Sequence, residues 1–351
     1  MSSSENAASH EVCAASSPAP ESEPLRLVLL GRTGTGRSSS GNAILGRSAF
    51  RADVSPSSVT TQCKKETGTV NGRSVSVIDT PGFFHTQLPP QEVMAEVGRC
   101  VTLSSPGPHA FLVTLQPCRF TKEERETLEW IKATFGPEVR RFTMVLFTWG
   151  DKLQGKHTGD FLEESKELLE FVSSCNGGYH VFDNSERDKT TEWTPQVEQL
   201  LKKVDKMVEG NGGGCYSNEM FREAERVIKE AQERILGQNP ESPQKLAEVK
   251  EEQGPELERR RRREEEEARK RAEGLFWCEL LTAVGKGAAE GAGIMGKDKG
   301  KGKAVTKVKV VERAAALAAS PLSISSAAKV VGGAVREGSK VLYKHRKTLL
   351  H

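Results

Sequence analysis

Short apolar runs alternate with amphipathic stretches from about Leu25 to Ile235. Leu25–Leu30, Ser74–Ile78, Ala110–Leu115, Phe142–Phe147 and Tyr179–Phe182 are brief and rich in Val, Leu, Ile and Phe, and they read as buried strands. Between them, Arg37–Leu45, Gln91–Leu103, Lys122–Phe135, Phe161–Val172 and Pro195–Val208 read as helices. This alternation predicts an α/β fold, a mostly parallel sheet with helices on both faces. In such sheets a ligand binds off the carboxyl ends of the strands.

Outside this region the pattern changes. Residues 1–24 are rich in Ser, Ala, Glu and Pro, with no apolar stretch; they predict a disordered segment without a secretory signal. Residues 25–235 form the expected globular domain. Residues 236–284 read as a linker and then a charged helix, because Arg259–Arg263 is followed by Glu264–Glu267 and such blocks pair at i,i+4 on a solvated helix. They lack the a/d apolar seam of a coiled coil. Residues 285–351, dominated by Gly, Ala and Lys, predict a poorly ordered tail.

Composition sharpens the picture in two ways. The chain has 351 residues with 51 Lys and Arg against 48 Asp and Glu, but residues 296–351 alone hold 13 basic and 3 acidic side chains. The tail is therefore basic while the body is not, which argues against nucleic-acid binding by the whole chain; the tail itself suits an acidic surface, nucleic acid or peripheral contact with an anionic membrane. No apolar run reaches 18 residues, so no spanning helix is expected. The 7 cysteines are scattered without a C-x-x-C pair, which predicts reduced thiols and a cytoplasmic protein.

The sharpest chemical signal is Gly31-Arg32-Thr33-Gly34-Thr35-Gly36-Arg37-Ser38, followed by Ser39, between the first strand and the first helix. This is a G-x-x-x-x-G-K-[ST] phosphate loop with Arg in place of Lys, and it makes the sheet one of P-loop NTPase type. Its glycines let successive N–H groups face a phosphate, and the helix adds its positive end. Arg37 keeps the charge, while its planar, forked guanidinium differs in shape from an ammonium.

Val77-Ile78-Asp79-Thr80-Pro81-Gly82 forms a strand ending in a D-T-P-G turn. Asp79 and Ser38 are expected to hold Mg²⁺, with Gly82 N–H sensing a third phosphate. Thr60, favoured over Thr61, lies in a polar stretch suited to a switch loop and completes the metal set. Phe147-Thr148-Trp149-Gly150-Asp151 closes another strand. There Asp151 can accept both N1–H and the 2-amino group of guanine, with Trp149 on or near the base. Asn184, after the last strand, is a second base contact.

These motifs, in this order, resemble the GTPases of the immunity-associated protein family. Ser104–Phe111 followed by Arg119-Phe120-Thr121-Lys122-Glu123-Glu124 is similar to the family's characteristic box, and Asn211-Gly212-Gly213 with Tyr216–Met220 to its post-domain segment. The resemblance covers about Leu25 to Ile235. It implies a GTP/GDP switch with Mg²⁺ that forms homodimers or hetero-oligomers through its nucleotide face, often on intracellular membranes. Arg37 departs from the family's lysine. Phe83 and Phe84 stand where other small GTPases place the glutamine that orients water, so hydrolysis is expected to be slow, or assisted in a dimer by Arg119 as an arginine finger. His109, in the box, reads equally as a turn or dimer-contact residue and as a chemical one.

Overall fold

The computed structural model describes residues 23–53, 60–82, 90–118, 120–182, 195–237 and 255–291. Its described strands are β1 (Leu25–Gly31), β2 (Lys64–Val70), β3 (Arg73–Asp79), β4 (Ala110–Leu115), β5 (Thr143–Phe147) and β6 (Tyr179–Val181). They form a sheet in the order β2-β3-β1-β4-β5-β6. All pairings are parallel except β2 with β3.

Period-two patterning divides the strands between two cores. Leu25, Leu27, Leu29, Leu112 and Leu146 face one core, closed by helix α1 (Arg37–Leu45) and α6 (Pro195–Gly210) through Ile44, Val197, Leu200 and Val204. Val28, Leu30, Phe111, Val113, Val145 and Phe147 face the other. That face is covered by α2 (Pro90–Ser104), α3 (Lys122–Phe135), α5 (Lys166–Ser173) and α7 (Glu219–Gly237), through Val97, Ile131, Phe171 and Phe221. The expected α/β architecture with helices on both faces is thus present.

β2 was not expected. Its sequence, KKETGTV, is polar because it is an edge strand exposed on much of its surface, and it is joined to β3 by Asn71-Gly72, both at positive φ as a tight hairpin turn demands. The single helix expected over Phe161–Val172 is two, α4 (Thr158–Glu163) and α5. Ser165 interrupts it with extended backbone, and its Oγ caps α5 by accepting from Leu168 N at 3.3 Å.

The motif stretches outside the phosphate loop also have structural roles. Thr121 and Glu124 form a reciprocal capping box on α3. Asn218 caps α7, its Oδ1 accepting from Phe221 N at 3.1 Å while its Nδ2 donates to Phe135 O at 2.8 Å. His109 sits at the amino end of β4, opposite the phosphate loop, where its Nδ1 accepts from Arg26 N at 2.9 Å.

The last helix among the described residues, α8 (Pro255–Gly291), runs past Gly285, where the tail was expected to begin. Glu258–Arg263 is exposed as expected of a solvated helix, but Ala268, Ala272 and Phe276 are buried at i,i+4 spacing, and the helix packs along α7 and α2. Arg269 pairs with Glu225 of α7 at 2.7 Å and donates to Ser105 O at 3.2 Å. Lys65 of β2 lies 3.7 Å from Glu273, and Arg99 of α2 stacks over Trp277. Among the described residues no helix is long and apolar enough to cross a membrane. Most of the expected disordered segment at 1–24, the linker before the charged helix and most of the tail at 285–351 fall at residues 1–22, 238–254 and 292–351, outside the described residues.

Candidate functional site

The phosphate loop joins β1 to α1 at the carboxyl edge of the sheet. Gly34 and Gly36 have φ of +83° and +82°, in the region open to glycine, and Gly36 is the residue from which α1 starts. Thr35, buried between them, pins the loop. Its Oγ1 donates to Arg32 O at 2.8 Å and lies 2.6 Å from Thr114 Oγ1 of β4. Its carbonyl accepts from Thr148 Oγ1 at 2.8 Å. Arg32 and Ser39 are half-buried on the loop and the first turn of α1.

Ser38, Thr60 and Asp79 converge. Ser38 Oγ donates to Asp79 Oδ2 at 2.6 Å and lies 3.0 Å from Thr60 Oγ1, which is itself 3.2 Å from Asp79 Oδ2. Thr61 is exposed. Asp79 is buried, and its Oδ1 has no hydrogen-bond partner. Two hydroxyl oxygens beside a buried carboxylate with an unused oxygen make a hard donor set that fits Mg²⁺. Burial pushes the Asp79 carboxyl above its usual range, against the opposing effects of Arg37, Ser38 and Thr60.

Arg37 is buried and turned inward. Its Nη1 donates to Thr80 O and lies 3.4 Å from Thr80 Oγ1, while Thr80 Oγ1 donates to Leu29 O at 2.7 Å. Burial lowers the guanidinium's pKa, and the Asp79 charge opposes that. Gly82 is packed against the same group: a Cβ there would stand 2.5 Å from Thr33 Oγ1 and 3.5 Å from Arg37 Nη2. Thr33 Oγ1 is buried and has no hydrogen-bond partner.

The base loop is held by its backbone. Thr148 N donates to Leu115 O and Gly150 N to Phe182 O, both at 2.9 Å. Trp149 takes a left-handed φ of 59°, half-buried, and Asp151 is exposed in a short 3-10 turn. Two residues that sequence reasoning missed join this loop to the phosphate loop. Gln116 Nε2 donates to Gly34 O at 2.8 Å, and Lys152 Nζ lies 3.4 Å from Gln116 Oε1 and over the Trp149 ring. Gln116 could have been suspected from its place just after β4, and Lys152 from following Asp151. Arg119, Asn184, Phe83 and Phe84 lie outside the described residues.

Compared with known protein families, residues 25–235 match the AIG1 family. The chain belongs to the AIG1 family. Its AIG1 domain spans β1 to α7, so α8 lies beyond the matched residues. Among curated proteins it is 37% identical over 194 residues to human GTPase IMAP family member 8, covering 55% of this chain and 29% of that protein. It is 36% identical to Immune-associated nucleotide-binding protein 9 of Arabidopsis thaliana, covering 60% of this chain and 64% of that protein. The match thus spans less than two thirds of either relative. Among solved structures, Toc33 of Arabidopsis thaliana in complex with Mg²⁺ and GMPPNP aligns with 17% identity and a TM-score of 0.40 over 53% of this chain and 85% of that one.

Proposed function

We propose that the AIG1 domain of this chain binds guanine nucleotides with Mg²⁺ and acts as a nucleotide-dependent scaffold. The observation that carries this is the convergence of Ser38, Thr60 and Asp79 beside the phosphate loop. Gly31–Ser39 would cradle the phosphates through backbone N–H groups. Ser38, Thr60 and Asp79 would hold the metal, whose charge offsets that of the phosphates. Thr148, Trp149 and Asp151 would receive the base, with the Asp151 carboxylate selecting guanine by accepting from its N1–H and 2-amino group. Names of relatives as a GTPase and as a nucleotide-binding protein support the same reading. We further propose that the nucleotide face mediates dimerisation and that hydrolysis is slow or assisted by Arg119 of a second copy.

A second reading is favoured by Arg37. With its guanidinium committed to Thr80, the domain would be an interaction module that no longer reads nucleotide. Equilibrium binding of GTP, GDP and XTP, with Mg²⁺ and then EDTA, to wild type, Arg37→Lys and Asp151→Asn separates the two. Micromolar or tighter, Mg²⁺-dependent GTP binding by wild type, with Asp151→Asn turning preference towards XTP by roughly tenfold or more, is the expected result. Binding seen only in Arg37→Lys would establish the second reading, and equal competition by GTP and XTP in both wild type and Asp151→Asn would remove Asp151 from the base site.

A further inference from the structure

In a switch of this architecture two segments meet the third phosphate, one through the metal-binding threonine and one through the glycine of the turn after β3. The two segments stand differently in this chain. The Thr60 hydroxyl meets Ser38 and Asp79, contacts that a metal ion would rearrange. The Thr80–Gly82 turn is held by contacts that need no ligand: Thr80 is bonded to Arg37 and to Leu29 O, and Gly82 is packed on Thr33 with Arg37 Nη2 beside it.

We infer that Arg37 clamps the Thr80–Gly82 turn onto the phosphate loop whichever nucleotide is bound, so that the third phosphate is sensed through Thr60 alone. This rests on the nucleotide-binding reading above. A guanidinium suits the task because it is long enough to leave α1 and reach β3, and it presents several donors in a rigid fork. It is also tolerable in the interior because Asp79 supplies a compensating charge nearby. Lysine at the same position would be a compact point charge with a different reach and no second arm to lie beside Gly82. The consequence is a one-armed switch: the turn reports nothing about GTP against GDP, and the Thr60 segment reports all of it.

Hydrogen–deuterium exchange on the full chain tests this, with no nucleotide, with GDP and with GTPγS, in Mg²⁺, beside a fluorescence titration of each nucleotide. In wild type, exchange of peptides containing Thr80–Gly82 is expected to agree within about twofold between GDP and GTPγS, whereas peptides containing Thr60 gain threefold or more protection with GTPγS. In Arg37→Lys both segments are expected to respond. Protection of Thr80–Gly82 by GTPγS in wild type, equal to or larger than that at Thr60, overturns the clamp; this comparison needs no variant and so survives if Arg37→Lys fails to fold. Absence of nucleotide binding in the titration defeats instead the functional reading on which the clamp depends.

Discussion

His109 is a residue whose chemistry is decided by where the fold puts it. Half-buried at the amino end of β4, with its Nδ1 accepting from Arg26 N–H, its pKa is pushed down to about 4 by burial and by the Arg26 and Arg73 charges. His180, bonded to Gln196 O, is lowered to about 4 as well. A histidine with a lower pKa folded than unfolded leaves the unfolded chain holding more protons between those values. Its contribution is therefore fully present above pH 6.5 and fades as pH falls towards 4, while the raised Asp79 acts with the opposite sign. Melting curves at pH 7 and pH 5 are expected to show a lower Tm at pH 5, with the difference reduced in His109→Gln; an identical difference in the variant would mean that His109 does not titrate in this range. At this scale the sequence was informative where chemistry depends on position along the chain. Ser38 and Asp79 follow predicted strands and loops, and Thr60 sits beside them in the fold. The inward course of Arg37 was not legible, because a long side chain takes its direction from the cavity that tertiary packing leaves for it.

At the scale of elements, legibility followed burial. The buried strands announced themselves as continuous apolar runs, whereas β2 hid in a polar sequence because an edge strand has little to bury. The charged helix showed its exposed half, Arg259–Glu267, and concealed the other, since Ala268, Ala272 and Phe276 form a stripe too narrow to stand out among Glu and Arg. That stripe gives α8 its hold on α7 and α2. Replacing a buried Phe by Ala costs about 3–5 kcal/mol in a packed core, and exposed ion pairs alone do not hold a helix in place. Phe276→Ala is thus expected to speed tryptic cleavage within Arg259–Arg271 severalfold, and unchanged cleavage kinetics would show that Arg269 and Glu225 suffice to hold the helix.

For the whole molecule, an AIG1 domain carries the candidate site, and residues 296–351 are basic. We propose that this segment makes peripheral contact with anionic lipid: deleting residues 296–351 is expected to reduce sedimentation with phosphatidylserine vesicles, more so at low salt, and undiminished sedimentation would assign any membrane contact to the domain instead. Within the domain, Thr35 has a consequence that reaches every ligand the site could take. Bonded within its own loop, in contact with Thr114 of β4 and accepting from Thr148, it ties the candidate phosphate loop to the candidate base loop. Little conformational entropy is then left for these two loops to lose on association, so what they add to affinity depends on how well a ligand fits a shape already set.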